Sequence, residues 1–289
     1  MIKLMTDIMR RNRPLCVCSA VILTIGSMPA PVFAQREGGD EVTVAIGGAF
    51  LPSYEGSDDY NLTPGVLVRG KVAGMPFFSR GTNLHLDVVH NNGKDGWDIG
   101  FGPVLNVRFN RTGRIKDDRV KALGKLDTAV EVGAWGGIAK TGVITSAYDN
   151  LSFRVSYMKD VAGAHKSYIL TPAIEYATPL SETTLFGLSL SADYVGKGYG
   201  RYYYDIDLAG SQASGLGVYG AAGDEAGFAK LNVGVVGAKS LSGDLRKGWA
   251  LFAVGGYGRI LGDYSDSPIV EDAGDRDQWL GGLGVAYTF

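Results

Sequence analysis

The sequence predicts an all-β fold, a transmembrane antiparallel up-and-down β-barrel of about twelve strands over residues 35–289. Three observations carry that expectation. The chain ends on an alternating strand with an aromatic at each end of one face. The same period of two recurs along most of its length. A leader-like segment precedes it.

In the last strand, Trp279, Gly281, Leu283, Val285, Tyr287 and Phe289 share one face, and Leu280, Gly282, Gly284, Ala286 and Thr288 share the other. Ten residue steps span about 33 Å. Tilted by about 40°, such a strand separates its aromatics by about 25 Å, the height of an outer-membrane barrel's apolar band. A terminal Phe in this setting resembles the C-terminal assembly signal of outer-membrane barrels.

At the other end, Lys3, Arg10, Arg11 and Arg13 form a basic region. An uncharged apolar core follows over 15–25, then Val32-Phe33-Ala34. This is the pattern of a signal peptide, residues 1–34, with a mature start at Gln35. The apolar run, about 11 residues, is too short for a spanning helix of ~20. Cys16 and Cys18 both lie in it, so the mature chain has no thiol, and neither cysteine follows a lipoprotein-type triplet. The leader takes four Lys/Arg and one Asp from totals of 28 and 30, leaving a mature charge of −5. That acidity argues against nucleic acid as a partner.

Between the ends, Trp97, Ile99, Phe101, Leu105, Val107 and Phe109 alternate with Asp98, Gly100, Gly102, Asn106 and Arg108. Strands are expected at about 42–51, 62–72, 76–90, 96–109, 125–138, 150–160, 167–178, 184–195, 201–208, 226–239, 248–261 and 278–289. An even count puts both termini on the periplasmic side. The connections 52–61, 91–96, 139–149, 209–225 and 262–277 are then extracellular, and 161–166, 196–200 and 240–247 periplasmic. The 110–124 connection is long yet falls on the periplasmic side. A soluble β-sandwich would alternate as well, but its apolar face needs no aromatic at both ends.

Several segments, in order, resemble the outer-membrane family named after the MltA-interacting protein, the MipA/OmpV family. They are Pro52-Ser53-Tyr54-Glu55-Gly56-Ser57-Asp58-Asp59-Tyr60, Gly102-Pro103-Val104-Leu105, Val130-Glu131-Val132-Gly133-Ala134, the loop from Ser211 to Tyr219, and Leu261-Gly262-Asp263-Tyr264-Ser265-Asp266-Ser267-Pro268-Ile269-Val270. Tyr264 stands where the family pattern has Ala. The resemblance implies a barrel in the Gram-negative outer membrane, in contact with lipid and lipopolysaccharide. It further implies a scaffold role between a murein lytic transglycosylase and a peptidoglycan synthase.

The expected inward set carries both charges: Asp98, Arg108, Asp127, Glu131, Arg154, Glu175, Asp193 and Lys230. These residues either fill the lumen with ion pairs or line a narrow solute channel. Trp97, Phe109, Trp279, Tyr287 and Phe289 are the expected membrane girdle and assembly signal. Arg111, Arg114, Lys116, Arg119 and Lys121 make the 110–124 connection basic. On the periplasmic side they are candidates for a partner contact. Acidic residues of the outer loops (Glu55, Asp58, Asp59 and six more within 263–277) have no EF-hand spacing and read as solvated loop faces. Ser79, Asp87 and His85 or His90 could be written as a hydrolytic triad, but there is no nucleophile elbow or metal-ligand spacing. The expectation is a non-enzymatic barrel without cofactor or metal, acting as a scaffold. A narrow channel is the alternative, and an adhesin working through 210–224 or 262–277 the second.

Overall fold

A computed structural model describes residues 41–89 and 94–289. The expected signal peptide and His90 lie outside the described residues. Twelve antiparallel strands close into a barrel: β1 Glu41–Pro52, β2 Tyr60–Val72, β3 Met75–Arg80, β4 Asn83–Leu86, β5 Trp97–Arg108, β6 Ala129–Thr141, β7 Asn150–Asp160, β8 Tyr168–Ser181, β9 Thr184–Val195, β10 Gly227–Ser240, β11 Gly248–Ile260 and β12 Asp277–Thr288. Each strand pairs with its chain neighbours, and β1 closes on β12 from Thr43↔Thr288 to Phe50↔Gly281. Closure removes most of the open edges that hydrocarbon penalises.

The number twelve agrees with expectation, but two of the strands behind it do not. The segment 76–90 is a hairpin, β3 and β4, turning at Gly81 and Thr82 with Gly81 at φ 58°. The period of two continues across a two-residue turn, so alternation alone does not reveal the reversal. The segment 201–208 is no strand. It holds the end of helix α2 (Lys197–Tyr203) and the start of α3 (Leu208–Ser214); of its residues, Ile206 forms one isolated bridge, to Tyr219. The first difference inverts every strand direction after residue 80, and the second restores it. The connections 91–96 and 139–149 therefore belong with the termini, and 110–124, 161–166 and 196–200 belong at the opposite end.

The three longest connections now share one end. The turn end, with both termini, has connections at 73–74, 87–96, 142–149, 182–183 and 241–247. The loop end has 53–59, 109–128, 161–167, 196–226 and 261–276, besides the tight turn at 81–82. Outward faces are apolar, with Ile46, Phe50, Ile99, Phe101, Leu190, Val233, Leu251 and Leu283 all exposed. Aromatics bracket this band. Tyr257 packs on Trp279 at 4.8 Å and Tyr194 on Phe228 at 5.1 Å at the loop end. At the turn end Tyr287 meets Trp249 at 4.9 Å and Phe289 at 4.8 Å, and Lys140 lies over Trp97. Phe109 departs from its expected girdle place: β5 ends at Arg108, and Phe109 lines an internal cavity.

The long connections form a cap with its own core. Tyr199, Tyr203 and Tyr204 pack with Ile169, Val195, Ile260, Tyr264 and Val270. A second cluster joins Tyr54, Ile115, Val120, Ile206, Leu216 and Ile269 from four loops. Close approach is built in at Gly200, where a Cβ would overlap the Ala222 carbonyl oxygen. Helix α1 (Asp118–Ala122) starts on Asp117, whose carboxylate accepts from the N–H groups of Arg119 and Val120. Helix α4 (Gly262–Ser265) precedes α5 (Pro268–Glu271), which starts on Ser267, and the Ser267 hydroxyl also donates to the Tyr204 carbonyl at 2.6 Å.

Candidate functional site: a charged chamber under the loop cap

Beneath the cap lies a cavity of about 210 Å³. Its charged lining comes from strands far apart in sequence. Arg80 ends β3 and crosses the lumen to Glu175 on β8. Arg154 on β7 reaches the same carboxylate, at 3.0 Å. Two guanidiniums therefore share one carboxylate on this side. On the other side, Lys230 of β10 lies 3.7 Å from Glu55 of the 53–59 loop. Nearby, Asp193 of β9 accepts from Thr171 at 2.7 Å and Asn232 at 3.2 Å. That side carries two carboxylates and the Lys230 ammonium, with the Arg108 guanidinium also in the lining.

A third group links wall to cap. Glu131, fully buried, accepts from Arg108 Nε at 2.8 Å and Asn106 Nδ2 at 2.7 Å, with His165 Nε2 at 3.1 Å. Arg108 also stacks over Tyr199, whose hydroxyl donates to Glu55 at 2.8 Å. Burial raises the Glu55 carboxyl, but Lys230, Arg108 and the Tyr199 hydroxyl outweigh it and hold the group below the usual carboxylate range. Burial holds the Tyr199 hydroxyl well above its ordinary value. Burial, with the Asp263 carboxylate nearby, pushes Tyr264 up to about 12. The Tyr199 phenol stays protonated as a donor to Glu55.

The lumen wall is apolar in two further places. Phe78 stacks on His85 at 4.7 Å and meets Trp135 edge-on at 5.4 Å, with Val104 and Met158 packed beside them. On the β1, β10 and β11 wall, Ala49, Leu51, Val236 and Val254 pack with Leu67, Phe252 and Leu280.

Among the expected lumen residues, Arg108, Glu131, Arg154, Glu175, Asp193 and Lys230 converge as described. Asp98 is on the same inward face of β5 as Arg108, toward the turn end. Asp127 does not face the lumen: β6 begins at Ala129, and Asp127 is exposed in the cap, its N–H donating to the Tyr202 hydroxyl. The basic connection is not at the end that holds the termini. Its residues bind the cap together: Arg111 donates to the Tyr203 carbonyl, Lys116 to Tyr60 and Arg119 to Asp272. Lys121 pairs with Asp118 at 4.0 Å, and Asn61 donates to the Arg114 carbonyl. The reason is the inverted strand direction after β3.

The paper triad is not assembled among the described residues. Ser79 Oγ accepts the Val68 N–H, and Asp87 accepts from the N–H groups of Val89 and Phe101. His85 is committed to the Phe78 stack. No group of three potential metal ligands occurs among the described residues. Sequence reading missed Arg80 and Glu55 as chamber residues. Arg80 was hidden in the unrecognised hairpin, and Glu55 among the acidic loop residues.

Residues 44–289 match the family model described as MltA-interacting protein MipA. The chain belongs to the MipA family. No curated protein matches it. Among solved structures, this MipA-family barrel is similar to an outer membrane channel from Pseudomonas putida F1, at 11% identity, 91% coverage of this chain, 100% of that one and a TM-score of 0.43. It is also similar to the outer-membrane OmpT of Vibrio cholerae, at 9% identity, with 89% and 100% covered and a TM-score of 0.34.

Proposed function

We propose that this MipA-family barrel is an outer-membrane channel for small polar solutes, closed in the present conformation. The observation that carries the reading is the chamber: a cavity beneath the loop cap into which Arg80, Arg108, Arg154, Lys230, Glu55 and Asp193 all project. Charged and polar side chains from opposite parts of the wall face a common space of about 210 Å³, a place to hold a small polar solute. The long-loop end is the extracellular one in barrels of this kind, and the turn end periplasmic. The cap is then the outer gate.

Single-channel conductance of refolded residues 35–289 in a planar bilayer tests this. Brief openings are expected from the intact barrel and longer ones when residues 262–275 are deleted. A folded barrel that stays silent in both forms would remove the channel reading.

The family description favours a second reading, a scaffold for a lytic transglycosylase and a peptidoglycan synthase. With 110–124 among the long loops, its periplasmic surface would be the turns at 142–149 and 241–247. Recovery of the transglycosylase by the immobilised barrel tests it. Loss on substituting those two turns, with no loss on deleting 112–120, is the expected pattern.

A further inference from the structure

The β4 and β7 walls of the chamber carry polar atoms that the protein leaves without partners. His85, 3% exposed, lines the cavity, and its Nδ1 makes no hydrogen bond. Asn83 precedes it on the same inward face of β4 and donates its amide to the Arg80 carbonyl at 3.2 Å. That bond fixes the orientation of the amide and leaves Oδ1 buried and unpaired. On β7, Arg154 is 7% exposed; its terminal nitrogens bond Glu175, while its Nε has no partner. Ser156, the next inward residue of β7, is 6% exposed and lines the same cavity.

An aromatic cluster holds these walls together. Ser156 sits opposite Trp135 of β6 in the sheet register, and the Trp135 ring meets His85 edge-on at 5.8 Å. Phe78 stacks on His85 at 4.7 Å, with the Arg154 guanidinium 5.9 Å from its centroid. The four polar groups therefore share one corner of the chamber. Buried polar atoms are nearly always bonded, so a cluster of unpaired ones on a cavity wall calls for a ligand or water. The kinds of atom narrow the choice. Asn83 Oδ1 only accepts, Arg154 Nε only donates, Ser156 Oγ does both, and His85 Nδ1 does either according to its tautomer. A cation would meet the Arg154 guanidinium. An anion would meet the Asn83 carbonyl oxygen and the Glu175 carboxylate held by Arg154 at 3.0 Å. A hydroxyl donates and accepts at once, so neighbouring hydroxyls suit all four groups.

We propose that this corner is a subsite for vicinal hydroxyl groups, and that the chamber's solute is an uncharged polyol or sugar. Met158, packed with Trp135 and Phe78 and also lining the cavity, supplies apolar contact for the solute's C–H face. The inference rests on the chamber being a binding site, the premise of the channel reading, but not on conduction.

The test is saturation-transfer difference NMR of D-glucose with the full mature barrel, in micelles of a detergent that has no sugar headgroup. Glucose C–H protons should receive saturation. Excess myo-inositol should remove the signal, and excess acetate or ethylammonium should not. His85→Phe keeps a ring on the Phe78 stack and removes its nitrogens, and Ser156→Ala removes the hydroxyl. Each variant, folded by heat-dependent gel mobility, should bind glucose about fivefold more weakly. No transfer to glucose on a folded barrel would overturn the proposal, the unpaired atoms then holding water alone. Acetate or ethylammonium displacing glucose as well as inositol does would overturn it too, as would unchanged binding in the variants. If His85→Phe does not fold, Ser156→Ala decides. Glucose binding to a barrel that never conducts would keep the subsite and remove the channel; conduction by a barrel that binds no glucose would do the reverse.

Discussion

Replacing Glu131 by Gln keeps the side-chain shape and removes one charge at the most heavily bonded point of the lumen. Four donors converge on that carboxylate: Arg108 Nε and Nη2, Asn106 Nδ2 and the His165 ring. The amide turns one acceptor oxygen into a donor, so at least one of these contacts becomes donor facing donor. Arg108 loses its ion-pair partner. Breaking a fully buried pair from one side costs about 3–5 kcal/mol. Arg108 keeps 20% of its side chain exposed toward the cavity, so water screens part of the loss and about 2–4 kcal/mol is expected. The assay is urea unfolding of the refolded barrel in lipid vesicles, read by tryptophan fluorescence and by heat-dependent gel mobility. A double variant, Glu131→Met with Arg108→Met, should recover more than half of the loss, because no charge is then left alone. A loss below about 1 kcal/mol for Glu131→Gln, or a double variant worse than the single, would refute the argument that this carboxylate is held by its cations rather than by packing.

Three further outcomes are expected. Gly200→Ala places a methyl against the Ala222 carbonyl; the barrel should still fold, while the cap is cleaved at least tenfold faster in limited proteolysis. Glu55 has a folded pKa below its unfolded value, so its stabilisation of the cap is fully present above the unfolded range near pH ~4.3 and is lost as pH falls through the folded pKa. Cap proteolysis should rise below about pH 4, and Glu55→Gln should flatten that rise. At the other end, Asp149 accepts from the N–H groups of Val143, Ile144 and Thr145 and from Tyr176, and burial opposed by these bonds leaves its carboxyl below the usual range. Asp149→Ala should cost about 1–3 kcal/mol and speed hydrogen exchange at 143–146 with no change in the cap.

The wall of this barrel was legible because lipid imposes a rule on every strand. Outward positions must be apolar with aromatics toward the ends; Trp279 to Phe289 has an aromatic at both ends, and Trp97 to Val107 is apolar throughout with its aromatic at Trp97. Strand direction was less legible. Alternation tells which face a residue takes, not which way the chain runs. At Arg80-Gly81-Thr82-Asn83 a two-residue turn reverses the chain without breaking the period, and one missed reversal moved five connections to the wrong end of the barrel. Connection length was the signal that could have corrected it. A 15-residue basic segment on the short-turn side contradicted the general rule for such barrels, and the contradiction pointed at the strand count before it.

The cap was not legible, for a different reason. Arg201-Tyr202-Tyr203-Tyr204-Asp205-Ile206 has strand-like composition, yet its tyrosines are buried against Tyr264, Ile260 and one another. Local preference favours a strand; tertiary packing across four loops selects a helix and a turn. That packing depends on groups distant in sequence, such as Gly200 on Ala222, Tyr54 on Ala273 and Ser267 on Tyr204. The charged chamber inherits the same dependence. Arg108, Glu131 and Arg154 face inward by strand alternation, but Tyr199 under Arg108, His165 on Glu131, and Arg80, which shares Glu175 with Arg154, arrive from the cap or the hidden hairpin. Each inward charge could be read from its strand, whereas whether it is paired, shared or left facing a cavity is decided by the loops that close over it.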